Sequence, residues 1–428
     1  MKAFPLLVAV ALLATAASGS VSVPASAAPL SEDAPVDFHE WRSPSGFQTG
    51  QADGVRPGPR GTLVIGRPAG TVEHTEPDLG TTRSYEYGTW TSPSYRPGFG
   101  ATELVASWNA TTPADTWLKV EMRAGTDAGD TTPWFTMGRW ASGDRDILRT
   151  TVPDQSDASG YVNVDTFVAA DGVTLRSYQL RVTLYREAGT RATPRLAMVG
   201  AMTSAIPDRF TVPTSPSAGA WGRELPVPRY SQNIHAGEYP EYGGGGEAWC
   251  SPTSTEMVVE YWGRGPTEED LAWVDPSYAD PSVDHAARFT YDKDYDGTGN
   301  WPFNTAYAAT FGLHGYITRL SSLADVERFI LAGVPVITSQ SFLAEELDGA
   351  GYGTAGHIMV IVGFTENGDV IANDPASSSN EAVRNVYQRE QFETIWLRTK
   401  RHNDSGGVSS GSGGIAYIIA PPGKRLPL

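Results

Sequence analysis

The chain has 428 residues and a formal net charge of −17, from 49 acidic against 32 basic side chains. So acidic a surface argues against nucleic acid and anionic membranes as partners. A single cysteine, Cys250, excludes an intramolecular disulfide, so stability must come from packed cores, for which 12 Trp supply material.

Residues 1–27 read as a secretory signal peptide. Lys2 gives the positive end, Phe4 to Ala14 an apolar segment too short for a bilayer, and Ala25-Ser26-Ala27 a cleavage site. The expected protein is therefore secreted and extracellular, starting near Ala28 in an oxidising compartment. No second apolar run of membrane-spanning length follows.

Residues 38–205 read as an all-β domain. Short runs recur between turn signals at 62–65, 84–90, 103–108, 117–122, 134–140, 162–168, 173–185 and 196–202. Eight such runs without helical periodicity predict a β-sandwich, jelly-roll-like in character. Such sandwiches can bind sugars through exposed aromatics. Trp90, Trp134 and Trp140 are the candidates for a carbohydrate or cell-wall ligand, and core packing is the competing role.

Residues 206–224 are rich in Pro, Ser and Gly and read as a linker. A second domain follows over 225–421. Its first landmark is Gly243 to Gly263, where a glycine-rich approach runs into Cys250 and a helix begins. Ser251 is the expected N-cap, with Thr253 and Glu256 at capping-box spacing and Gly263 as the stop. A thiol at a helix N-terminus sits where the macrodipole favours its anion.

Beyond it, Glu268–Val274 and Asn304–Phe311 read as helical, Ser322–Leu331 as a helix capped by Ser322, and Val334–Ser339 as a strand. Asp292 to Asn300 mimics the start of a calcium loop. The twelfth position is Phe303 rather than Glu, so a structural acidic turn is the stronger reading. Gly356 to Phe364 is an apolar strand with His357 at its entrance. Asn367-Gly368 signals a hairpin, and the returning strand ends in Asn373-Asp374-Pro375.

Cysteine at a helix start, histidine at a strand start and Asp at the end of the next strand suit one chemistry. The thiolate attacks an acyl carbon, His357 moves the proton, and Asp374 fixes the imidazole. Gln232, with the Cys250 backbone N–H, is the best donor for a developing oxyanion. A plain two-residue turn at Asn367-Gly368 would set Asp374 opposite Ile361, about 13 Å along the strand from His357. The pairing thus demands a wider loop or a bulge. His235 is a further candidate beside Gln232. No His/Cys/acid cluster shows metal-ligand spacing along the chain.

The domain resembles the papain-like cysteine peptidases, in particular the bacteriocin-processing, double-glycine type and its secreted stand-alone relatives. Ser231-Gln232, Trp249-Cys250-Ser251-Pro252-Thr253-Ser254, Gly356-His357 and Asn373-Asp374-Pro375 carry the resemblance, in the family's order, over about residues 225–400. It implies an α+β protein: an N-terminal all-β sandwich followed by a papain-like cysteine peptidase domain. Cys250 would be the nucleophile, His357 the base, Asp374 its orienter and Gln232 the oxyanion donor, with a peptide or protein substrate and no cofactor. Two departures stand out. Gln232 lies 18 residues before Cys250, farther than in papain-like enzymes, and the ATPase and membrane spans of transporter-linked relatives are lacking. A non-catalytic carbohydrate- or cell-wall-binding protein and a cysteine acyltransferase are the alternatives.

Overall fold

The structure, a computed structural model, describes residues 35–42 and 45–427; the expected signal peptide lies outside them. The protein is α+β, a sheet-rich N-terminal region followed by a peptidase-like domain. Alternation builds the first part. In strand Leu175–Glu187, Tyr178, Leu180, Val182 and Leu184 point inward, while Gln179 and Arg181 are half-exposed. One antiparallel sheet centres on strands Glu103–Thr111 and Arg195–Ser204, the other on Thr81–Thr91, Leu175–Glu187 and Thr116–Thr126. Leu104, Ala106, Val199 and Ala201 from one meet Leu118, Val120, Leu180 and Val182 from the other, forming a sandwich core.

Some expectations needed correction here. The run 162–168 is not one strand but the hairpin of Gly160–Asn163 with Thr166–Ala169, turning at Val164, whose φ is 56°. Trp90 and Trp140 are 1% and 0% exposed, so they are core and cannot stack on a sugar. The Trp90 indole donates to Phe47 O at 2.9 Å. Trp134 is half-buried, with the guanidinium groups of Arg123 and Arg181 at 4.6 and 4.2 Å from its ring. Strands Val36–Arg42 and Gly70–Glu76, rich in charged residues, were not foreseen.

Besides the short α1 (Ser45–Gln48), the helices are α2 (Cys250–Tyr261), α3 (Pro281–Thr290), α4 (Trp301–Thr310), α5 (Leu323–Leu331) and α6 (Arg389–Leu397). They flank an antiparallel sheet ordered His314–Arg319, Ile415–Ala420, Val336–Phe342, Thr354–Phe364, Val370–Asn373 and Arg384–Tyr387. Both faces of the central strand are buried, which explains its unbroken apolar run. Ile358, Val360 and Val362 pack with Met257 and Val258 of α2; Met359 and Ile361 pack with Phe329 of α5 and Trp396 of α6. Residues 268–274 form turns instead of the expected helix. Helices α3 and α6 were missed.

The described residues form one compact unit. Phe303 of α4 inserts into the sandwich core, its ring 5.9 Å from that of Trp108. Asn109 Nδ2 donates to Gly315 O at 2.7 Å, and Ile317 N donates to Ser107 Oγ at 3.0 Å. The 206–224 stretch is strapped down. Ala218 N, Ala220 N and the Trp221 indole all donate to the buried Glu327 carboxylate, which Arg389 also pairs at 2.9 Å.

Candidate active site

Gly243, Gly244 and Gly245 have φ of 72°, 98° and 107°, a left-handed run that only glycine follows without strain. It turns the chain into Trp249, which is fully buried and donates its indole N–H to Tyr242 O at 2.7 Å. Helix α2 then starts at Cys250 itself. Its N-cap is Trp249, with no side-chain cap, so the expected Ser251 cap and Thr253–Glu256 box are absent. Ser251 Oγ instead meets Tyr417 Oη at 2.9 Å, and Glu256 accepts from Tyr307 Oη at 2.9 Å. Gly263, φ 64°, ends the helix as expected.

His357 reaches the same place from strand Thr354–Phe364. Its Nε2 lies 2.8 Å from Asp374 Oδ1, and the half-buried Cys250 thiol is its other side-chain partner. With Nε2 engaged by the carboxylate, Nδ1 is the nitrogen left for sulfur. The hairpin explains how Asp374 arrives. Gly368 N donates to Thr365 O at 3.0 Å, which makes Glu366-Asn367 the centre of the turn, with Gly368 (φ 89°) as a bulge residue. A second irregularity falls between Ile361 and Gly363. Val360 therefore pairs with Asn373, and Asp374 sits one residue beyond, near Met359 instead of Ile361. The plain two-residue turn is thereby corrected.

Asp374 is 1% exposed and heavily bonded. Tyr352 and Tyr387 both donate their hydroxyls to Oδ2, at 2.8 and 2.6 Å, and Ala376 N donates to Oδ1 at 2.9 Å. Burial alone would raise its pKa, but His357 and the two phenols outweigh that and hold it below the usual carboxylate range. Burial alone would lower His357; Asp374, with Cys250 behind it, pushes its pKa up to about 10. The two phenols carried no motif in the sequence, and Tyr352 stands in a Gly-Tyr-Gly loop.

Gln232 is 3% exposed and lines the same cavity of 1040 Å³ as Cys250 and His357. Its backbone N–H donates to Pro375 O at 2.8 Å, and Nε2 donates to Glu247 O at 2.6 Å, leaving one amide hydrogen uncommitted. Three of the four residues singled out in the sequence thus border one cleft, and Asp374 lies buried behind His357. Asn163, from the sandwich, lines it as well.

His235 points away from that chemistry and pairs with Glu238 at 2.7 Å. The acidic turn is structural. Asp292 accepts from Thr151 N and from Asn300 Nδ2, both at 2.9 Å, while Asn300 Oδ1 caps α4 by accepting from Phe303 N.

Fold and site together define a protein of the cysteine peptidase type. Residues 37–204 match the model of the Peptidase C39 N-terminal domain, and residues 224–403 match that of the Peptidase_C39 like family. The chain is a member of the C39-type papain-like cysteine peptidase family. No curated protein is significantly similar to it in sequence.

Proposed function

We propose that this chain is a secreted cysteine peptidase that hydrolyses peptide bonds through Cys250, His357 and Asp374. The observation that carries the reading is the His357 ring set between the Cys250 thiol and a buried, doubly phenol-bonded Asp374. An imidazole pushed up to about 10 keeps its proton at neutral pH and so sets a positive charge beside the sulfur.

The sulfur attacks the scissile carbonyl carbon, and the C=O π pair moves onto oxygen. Gln232 and the Cys250 backbone N–H face that oxyanion. As the C–N bond breaks, His357 gives its proton to the leaving amine and a thioester remains. Water then attacks the thioester and passes a proton to His357. The C–S bond breaks, releasing the acid and restoring the starting pair.

With one cysteine, every alkylation event reports on Cys250. Iodoacetamide labelling of the native protein at pH 6 is expected to fall at least tenfold in His357→Ala. A peptide library should be cleaved by the wild type and left intact by Cys250→Ala. Equal labelling of wild type and His357→Ala, or no cleavage across the library, would remove the catalytic reading.

A further inference from the structure

Behind the candidate nucleophile lies a second cluster that the chemistry above does not use. His235 and Asp284 are 8% exposed or less, and Glu238 is half-buried. His235 Nδ1 stands 2.7 Å from Glu238 Oε2 and 3.5 Å from Asp284 Oδ2, and one ligand atom from each residue lies within 4.8 Å of the other two. Asp284 has no solvent exposure, and neither of its carboxylate oxygens accepts a hydrogen bond; His235 Nε2 has no partner either. Around them are the Trp249 ring, 6.0 Å from the imidazole, and apolar Val283 and Ala287.

Charge decides what belongs there. Among the described residues, neither carboxylate pairs with a Lys or Arg; His235 is the ion-pair partner of both. An imidazolium would still leave one net negative charge beside the fully buried Asp284, which is costly. A divalent cation with neutral imidazole brings the sum to zero. We propose that His235, Glu238 and Asp284 form a structural site for a divalent transition cation of the zinc type. One ring nitrogen and two carboxylate oxygens suit that ion, and solvent on the Glu238 side supplies the fourth position. Ligands at about 2.0–2.2 Å from zinc stand roughly 3.3–3.6 Å apart, so the 3.5 Å separation fits. The 2.7 Å one is a hydrogen-bond distance, which widens when a cation replaces the shared proton. In the other acidic cluster, Asp115, Asp146 and Glu187, every carboxylate already has an arginine partner in Arg83 or Arg145.

The ligands come from the turn after Gln232 and from the first turn of α3, which is why spacing along the chain did not reveal them. Bound there, the cation clips the Gln232 loop to α3.

The test uses the full chain carrying Cys250→Ser, which removes the thiol as a competing zinc ligand. After chelation and dialysis, zinc titration is expected to show one bound equivalent. At a hundredfold excess over Kd it should raise Tm by about 3 °C. Asp284→Asn keeps the side-chain volume; it should lose the zinc response while its metal-free Tm stays at or above that of the parent. Substoichiometric binding with a Tm change under about 1 °C would overturn the proposal, as would an undiminished zinc response in Asp284→Asn, which would place the ion elsewhere.

Discussion

Asp374 is held by two phenols, a backbone N–H and an imidazole, and losing any one leaves a buried carboxylate short of a donor. Tyr387→Phe is expected to cost about 1.5–3 kcal/mol in denaturant unfolding, the scale for a hydrogen bond to a charged group. It should also slow peptide cleavage, because Asp374 then loses one of the bonds that fix its position beside His357. The pH dependence follows from the signs. His357 is raised in the folded protein, so its contribution is full below its ordinary pKa of about 6.5 and drains away as pH climbs toward about 10. Asp374 is lowered, so its contribution is present above about 3.9 and lost as pH falls through the folded value. The stability gap between wild type and His357→Ala should therefore be widest between about pH 4 and 6.5 and shrink toward pH 10. A gap that grows with pH across that range would contradict the ion pair.

At the scale of single elements, the hairpin that delivers Asp374 is the sensitive part. A Cβ on Gly368 would stand 2.4 Å from the Trp221 ring, at a φ of 89°. Gly368→Ala should thus cost more than about 1 kcal/mol and lower activity along with Tm, since the return strand would shift. Cys250, His357 and Asp374 could be read in the sequence because each stands beside a strong local signal: a helix start, a glycine-bounded strand, an Asn-Asp-Pro end. What could not be read was register. The offset that brings Asp374 near Met359 is the sum of a bulge residue and a strand irregularity, and neither has a residue signature beyond one glycine. Helix α3 was missed for a different reason. Pro281 opens it from Asp280, a non-glycine residue at φ 44°, so the boundary looks like a turn. The Ser251 cap failed because Ser251 found a tertiary partner in Tyr417, 166 residues away.

Taken as a whole, the sandwich and the peptidase-like part share side chains across their boundary. Phe303 belongs to a helix of one and the core of the other, and a Cβ on Gly138 would stand 2.9 Å from its ring. Calorimetry is expected to show one unfolding transition rather than two. Phe303→Ala should cost about 3–5 kcal/mol, as removal of a fully buried ring does, and depress that single transition. Two separate transitions, with only one moved by the substitution, would mean that the halves fold independently. The lone thiol has a further consequence. The fold owes nothing to sulfur chemistry, because Cys250 makes no crosslink. Conversion of Cys250 to a sulfenate would silence the proposed nucleophile without removing any covalent support. Such a protein can be switched off by an oxidant and restored by a reductant without refolding, so the fraction of active molecules reads the redox poise of its surroundings while the amount of folded protein does not.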